Sequence, residues 1–264
     1  MIKTIAVSNE KGGVAKTTTT LSLGAALVDM GYRVLLVDLD AQANLTLSLG
    51  FEPNEAEHTA SEALLDNAPL LNIRYKTDVE RLDLIQSSAR IETCEQFLPV
   101  RTHYTQILQR AIAALSEKVA YDFILLDCPP AIGAITQNAL TAADLLLIPT
   151  QAEYFSAYAL RNMMTLIRQV RERDNPALAY RILVTMLDKR NRTHRNIHEQ
   201  LRATFGEGVF DTVIEVDTKL RESPIAGMPI SRYKPGARGT TQYRVLAEEL
   251  IEYAKETENK QPAQ

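Results

Sequence analysis

The sequence predicts a single α/β domain with a mostly parallel, twisted sheet covered by helices on both faces. Three observations predict it. Short, almost wholly apolar runs alternate with segments of helical period along most of the chain, and strands buried on both faces read as continuous apolar runs. Several of these runs end in an acidic residue, and such sheets bind ligands at the carboxyl ends of their strands. Between the first apolar run and the first helical segment lies a glycine-bearing turn, Val7-Ser8-Asn9-Glu10-Lys11-Gly12-Gly13-Val14-Ala15-Lys16-Thr17-Thr18.

Taken in order, residues 2–7 are short and β-branched and read as a buried strand. Residues 17–30 carry Leu21, Leu23, Ala25, Ala26 and Leu27 and read as a helix. Residues 33–38 form a second strand ending at Asp38-Leu39-Asp40. Helical and irregular polar segments fill 45–76, and 79–86 hold a strand. Apolar residues recur at helical spacing over 101–115. Residues 122–127 are a nearly all-apolar strand, stopped by Cys128-Pro129-Pro130. Strands follow at 144–149, 180–186 and 209–214, separated by helices at 154–173 and 194–205. A closing helix starts near residue 240 and runs to about 254. One domain, 1–256, with a polar and flexible tail, 257–264, is the economical division.

The 264 residues are 45% hydrophobic, without Trp, which is enough for a full core built from Leu, Ile, Val and Ala. Cys94 and Cys128 have no metal-ligand spacing and read as reduced thiols. No signal-type segment is expected ahead of the first strand. No apolar run approaches the roughly 20 residues of a membrane span, so no stable membrane association is expected. The net charge of −4 argues against nucleic acid, but its distribution does not. Residues 1–160 carry 11 Lys+Arg against 19 Asp+Glu, whereas 161–238 carry 15 against 9. An acidic protein can therefore present a basic face.

A strand feeding a glycine turn feeding a helix aims backbone N–H groups and the positive helix end at one point, which suits a phosphate. Lys16 reaches the outer phosphates and the Thr17 hydroxyl holds Mg²⁺. The common phosphate loop has glycine at the positions of Glu10 and Ala15. Here Lys11 beside Gly12 and Gly13 adds a second cation. It is free to serve its own nucleotide or that of a second copy. Ala15 costs little if its backbone is helical and strains the loop if its φ is positive. Asp127, closing Phe123-Ile124-Leu125-Leu126, can hold Mg²⁺ directly or through water; the plainer reading is a turn-capping carboxylate. Asp38 and Asp40 share a strand face if the chain there is extended.

The Lys-Gly-Gly-x-x-Lys-Thr run resembles the deviant P-loop of the ParA/MinD family of ATPases. The resemblance spans residues 1 to about 254 and implies a single-domain P-loop NTPase with ATP and Mg²⁺ as cofactors. By it, Lys11 through Thr18 bind the nucleotide. That covers Lys11, Gly12, Gly13, Val14, Ala15, Lys16, Thr17 and Thr18. Asp40 positions the attacking water, Thr17, Asp38 and Asp127 belong to the metal site, and Lys11 and Lys16 join Asp40 as catalytic groups. Thr185-Met186-Leu187-Asp188 resembles the strand end near the base, which gives Met186 a place in the cofactor site. Pro149-Thr150-Gln151-Ala152-Glu153-Tyr154-Phe155 resembles the loop whose Gln151 and Glu153 face a partner subunit. Glu222-Ser223-Pro224, Gly227-Met228-Pro229-Ile230 and Thr241-Gln242-Tyr243 resemble the chromosome- and plasmid-partitioning branch. No amphipathic tail of the MinD kind is present in the sequence.

That branch implies a homodimer on ATP and nonspecific binding of double-stranded DNA. It also implies hydrolysis stimulated by a ParB-like adaptor, and a cytoplasmic, nucleoid-associated location. Arg190 and Lys219 stand where family members place DNA-contacting basics, and Lys189, Arg192 and Arg221 join them on charge alone. The plainer reading is a solvated helix face. The rivals are positioning of a non-DNA cargo such as a microcompartment or chemosensory cluster, a membrane-bound ATPase like MinD, and a small-molecule kinase.

Overall fold

The computed structural model describes residues 3–153 and 156–260; the predicted positions Ile2, Tyr154, Phe155 and 261–264 lie outside the described residues. The chain runs through β1 (Lys3–Val7), α1 (Lys16–Asp29), β2 (Val34–Asp38), α2 (Asn44–Leu47), α3 (Ala60–Asp66), β3 (Arg74–Lys76) and β4 (Leu82–Ile85). It continues through α4 (Ile91–Phe97), α5 (Ile107–Ser116), β5 (Phe123–Asp127), α6 (Ala134–Ala142), β6 (Leu145–Gln151) and α7 (Ser156–Arg173). It ends with β7 (Ala179–Leu187), α8 (Arg192–Phe205), β8 (Val209–Glu215), α9 (Lys219–Ile225), α10 (Ile230–Tyr233) and α11 (Arg238–Lys260).

The strands lie in the order β3-β4-β2-β5-β1-β6-β7-β8. Every pairing is parallel except β3 with β4. Successive side chains alternate between the faces. Ala6, Leu35, Val37, Ile124, Leu126, Leu146 and Ile148 pack into one core, with helices α3 to α8. Ile5, Val7, Leu36, Leu125, Leu145 and Leu147 pack into the other, under α1 and α11. Two covered faces explain why the strands lack a polar alternation. The helix α1 approaches the sheet closely at Gly24, where a Cβ would lie 2.8 Å from the Leu36 side chain.

Two differences from the sequence reading have local causes. The segment expected to be helical or irregular to residue 76 ends in the short edge strand β3, whose Arg74, Tyr75 and Lys76 carry no buried-strand signature. The closing helix begins at Arg238, ahead of the expected 240, because the Asp217 carboxylate accepts the Gly239 N–H at 2.9 Å. It also runs on to Lys260, past the domain boundary expected at 256.

Candidate nucleotide site

Neighbouring β1 and β5 place the loop 8–15 and Asp127 side by side, with Val7 and Asp127 in register. Asp127 is also in register with Asp38 of β2. Gly13 has φ 74° and Ala15 has φ 68°, so the loop turns through two left-handed residues. Ala15 thus meets the strained alternative, at a cost of roughly 1–2 kcal/mol. It stands at the N-terminus of α1 without a capping side chain, and no acidic residue occupies the first turn. The first-turn N–H groups are left for an anion. A Cβ built on Gly12 or Gly13 would meet nothing within 4 Å, so the cradle is open where a ligand would enter.

Lys16 is buried, and among the described residues its ammonium reaches only the Lys11 carbonyl, at 3.4 Å. Burial lowers its pKa, against the opposing attraction of Asp127, Asp40 and Cys128. The Thr17 hydroxyl donates to Asp127 Oδ2 at 2.7 Å, and the Thr20 hydroxyl donates to Oδ1 at 3.1 Å. Donating its proton to Asp127 leaves the Thr17 oxygen lone pairs for a cation. Burial, then the neighbouring Asp38, pushes the Asp127 carboxyl well above the usual range. Asp38 is raised by burial too, although it accepts from Thr46 N at 2.9 Å, Thr46 Oγ1 at 2.8 Å and Asp40 N at 3.1 Å. Two neighbouring desolvated carboxylates, only one of which acts on Lys16, call for further positive charge. No group of three His, Cys, Asp or Glu side chains converges as a metal cage among the described residues. That fits a hydroxyl-held Mg²⁺ completed by phosphate and water better than an all-protein site.

Asp40 is half-buried, with Oδ1 accepting the Gln42 N–H at 3.0 Å. The order at this corner is therefore a committed Asp38 fixing the turn and a less committed Asp40 beyond it. Met186, one residue before the end of β7, has φ 52° and lines a cavity with Ala15, Thr18, Ile214, Val216, Leu220 and Arg221. Lys11 lies on the rim, its ammonium 2.5 Å from Glu153 and 3.3 Å from Gln151 Oε1. Sequence reasoning missed Asn9, Thr20 and Thr185. Asn9 donates to the Pro149 carbonyl at 2.8 Å and accepts from Lys11 N at 3.0 Å, while Thr185 donates to the Val14 carbonyl at 3.0 Å. Thr20 follows Thr17 by one helical turn, which was a readable signal; Thr185 opens the stretch matched to the strand end near the base but was given no role, and Asn9 had no signal. Both cysteines are free and buried, and burial pushes both thiols up, Cys94 to about 12.

The basic candidates follow the ends of β7 and β8. Lys189 pairs with Glu215 at 2.9 Å, Arg190 with Asp188 at 3.1 Å and Lys219 with Glu222 at 2.6 Å. Glu215 also holds Arg238 at 3.1 Å, which ties the start of α11 to the loop after β7. Arg192, at the start of α8, and Arg221 make no ion pair among the described residues. Arg221 lines the cavity beside Met186, so one expected DNA contact sits against the nucleotide site.

A phosphate cradle between a parallel strand and a helix, with a buried lysine, a threonine hydroxyl and an acidic strand end, defines a P-loop nucleotide hydrolase. A family profile described as an AAA domain matches residues 2–180. The chain is 39% identical over 252 residues to the sporulation initiation inhibitor protein Soj of Bacillus subtilis (strain 168), covering 95% of this chain and 98% of that protein. It is 35% identical over 260 residues to the chromosome partitioning protein ParA of Caulobacter vibrioides (strain NA1000 / CB15N), covering 98% and 97%. The solved structure of cobyrinic acid a,c-diamide synthase from Mycobacterium smegmatis, with bound ATP analog and magnesium, superposes with a TM-score of 0.84 at 32% identity. That match covers 97% of this chain and 96% of that one. The chain belongs to the ParA/MinD family of P-loop ATPases, in its ParA/Soj partitioning branch.

Proposed function

We propose that this protein is a Mg²⁺-dependent partition ATPase that pairs with a second copy on ATP. In that state it holds DNA without reading sequence, and it releases the DNA when a ParB-like adaptor stimulates hydrolysis. On this reading it works in the cytoplasm on nucleoid DNA; no helix among the described residues is long and apolar enough to cross a membrane. The observation that carries the reading is the position of Lys11. Its ammonium is drawn out to Glu153 and Gln151 at the end of β6, whereas Lys16 stays buried in the cradle. A cation parked on the rim of its own site is available to a neighbour's.

The first-turn N–H groups of α1 and Lys16 bind and orient the phosphates. The Thr17 hydroxyl, oriented by Asp127, would hold Mg²⁺, which supplies positive charge against the triphosphate oxygens. Asp38 supports that shell through the Asp40 turn, and Asp40 holds the attacking water in line. Lys11, exchanged between copies, supplies the last positive charge, so that hydrolysis waits on pairing. Lys189, Arg190, Arg192, Lys219 and Arg221 offer phosphate contacts on one rim. The test is retention on nonspecific DNA with ATP, ADP or no nucleotide. Retention only with ATP supports the reading. Retention independent of nucleotide, or none at low salt, contradicts it and favours a small-molecule ATPase such as the M. smegmatis neighbour's name describes.

A further inference from the structure

The side chain of Gln151 touches three parts of the nucleotide site at once. Its amide nitrogen donates to the Gly13 carbonyl at 3.0 Å and lies 2.9 Å from the Met186 sulfur. Its amide oxygen accepts from the Lys11 ammonium at 3.3 Å. Chemistry fixes this orientation, because the Lys11 ammonium only donates and the Gly13 carbonyl only accepts. The amide is a rigid plane, so it cannot shift at one end without shifting at the other.

Both groups held by the nitrogen end belong to the cradle and the cavity. Gly13 is in the left-handed region at φ 74° and forms the open side of the phosphate loop. Met186, at φ 52°, is a non-glycine residue in the same region. The ladder between β7 and β8 slips in register between Val184 and Leu187, so the chain leaves regular pairing around Met186. Strained residues of this kind persist where their surroundings hold them, and they gather at ligand clamps. Met186 lines the cavity with Ala15 and Thr18, and Thr185 beside it is bonded to the Val14 carbonyl.

We infer that Gln151 is a positioning residue that couples occupancy of the Met186 cavity by a nucleotide base to release of Lys11. The inference rests on the reading of Lys11 as the cation lent to a second copy. A base entering the cavity displaces the Met186 side chain, turns the Gln151 amide and removes its oxygen from Lys11. Lys11 is then held by Glu153 alone. A phosphate chain without a base reaches Gly13 and Lys16 but not Met186, so it leaves Lys11 where it was.

The test reads Lys11 directly, without hydrolysis. The full-length protein is labelled with an amine-reactive reagent, and modification of Lys11 is followed by mass spectrometry with no ligand, with inorganic pyrophosphate or with ADP. Losing one hydrogen bond of ordinary net strength predicts about a 2- to 10-fold rise in Lys11 labelling with ADP. Pyrophosphate should cause no rise. In Gln151→Ala, labelling should start high and stay there when ADP is added. Met186→Leu, which keeps the bulk and removes the sulfur, should lose most of the ADP response at ADP concentrations that saturate the variant. Equal labelling with pyrophosphate and ADP in the wild type, or a full ADP response in Gln151→Ala, overturns the coupling. Sedimentation of the same samples with a slowly cleaved ATP analogue separates the two ideas. Pairing without the labelling response sinks the coupling alone, and a labelling response without pairing sinks the exchanged lysine.

Discussion

The carboxyl ends of β1 and β5 and the carboxyl ends of β7 and β8 both gather charge, and they treat it in opposite ways. At β1 and β5 the donors are left uncommitted: a helix start without a cap, and a buried lysine bonded, among the described residues, to a carbonyl alone at 3.4 Å. At β7 and β8 the cations are mostly committed: Lys189 and Arg238 share Glu215, Arg190 is folded onto Asp188, and Lys219 onto Glu222. An anion entering the first region meets a preorganised site. An anion approaching the second must compete with carboxylates held in exposed, solvent-screened pairs. On the proposed reading, tight, defined binding belongs to the cradle, and weak, salt-sensitive holding of a long anion belongs to the basic rim.

The largest effect expected falls on the one cation between these regimes. Lys11→Ala should lose ATP-dependent pairing and about 10³–10⁵ of stimulated hydrolysis, the scale of a cation supplied in trans. ADP affinity, measured by calorimetry, should hold. Normal pairing and turnover in this variant would remove the distinction between parked and buried lysines. Asp40→Ala should cost about 10²–10⁴ in phosphate release and leave pairing on ATP intact, since Asp40 is not needed to bind. Loss of ATP binding would put Asp40 among the binding groups instead.

Smaller effects test the basic rim. Arg190→Glu with Lys219→Glu should sharply weaken ATP-dependent DNA retention, keep nucleotide binding and flatten the log–log salt dependence of what remains by about 2. Unchanged retention at low salt would remove this patch. Glu215→Gln frees Lys189 and Arg238 of their carboxylate. It should tighten retention by about 2- to 5-fold, in line with the worth of surface pairs. Weaker retention would show that Glu215 orders the rim rather than restraining it. The smallest effect is Ala15→Gly. Relief of a left-handed alanine, about 1–2 kcal/mol, is offset by the freedom glycine gains when unfolded, about 0.4–1 kcal/mol. Thermal unfolding of the nucleotide-free protein should therefore show a stabilisation of at most about 1.6 kcal/mol.

What could be read in the sequence follows the same division. The apolar strands and the Lys-Gly-Gly-x-x-Lys-Thr loop are local signals, and β5 ending at Asp127 beside Thr17 is what a parallel sheet makes of them. The edge strand β3 was hidden because three charged and aromatic residues on an outer strand need no apolar run. The Ala15 conformation was posed as a choice that only backbone angles settle. Long-range pairing was the least legible. Lys11 and Glu153 are 142 positions apart, and nothing in either segment announces the other. The basic residues were visible as charge, and Lys219 with Glu222 three positions on was a readable helical pair, but the pairing of Lys189 with Glu215, 26 positions away, was not.

Sedimentation velocity of the wild type with magnesium and a slowly cleaved ATP analogue goes most directly to the exchange of Lys11 between copies. The account predicts a two-subunit species with the analogue, single subunits with ADP, and single subunits for Lys11→Ala under both conditions. Single subunits for the wild type at every nucleotide and protein concentration would contradict it.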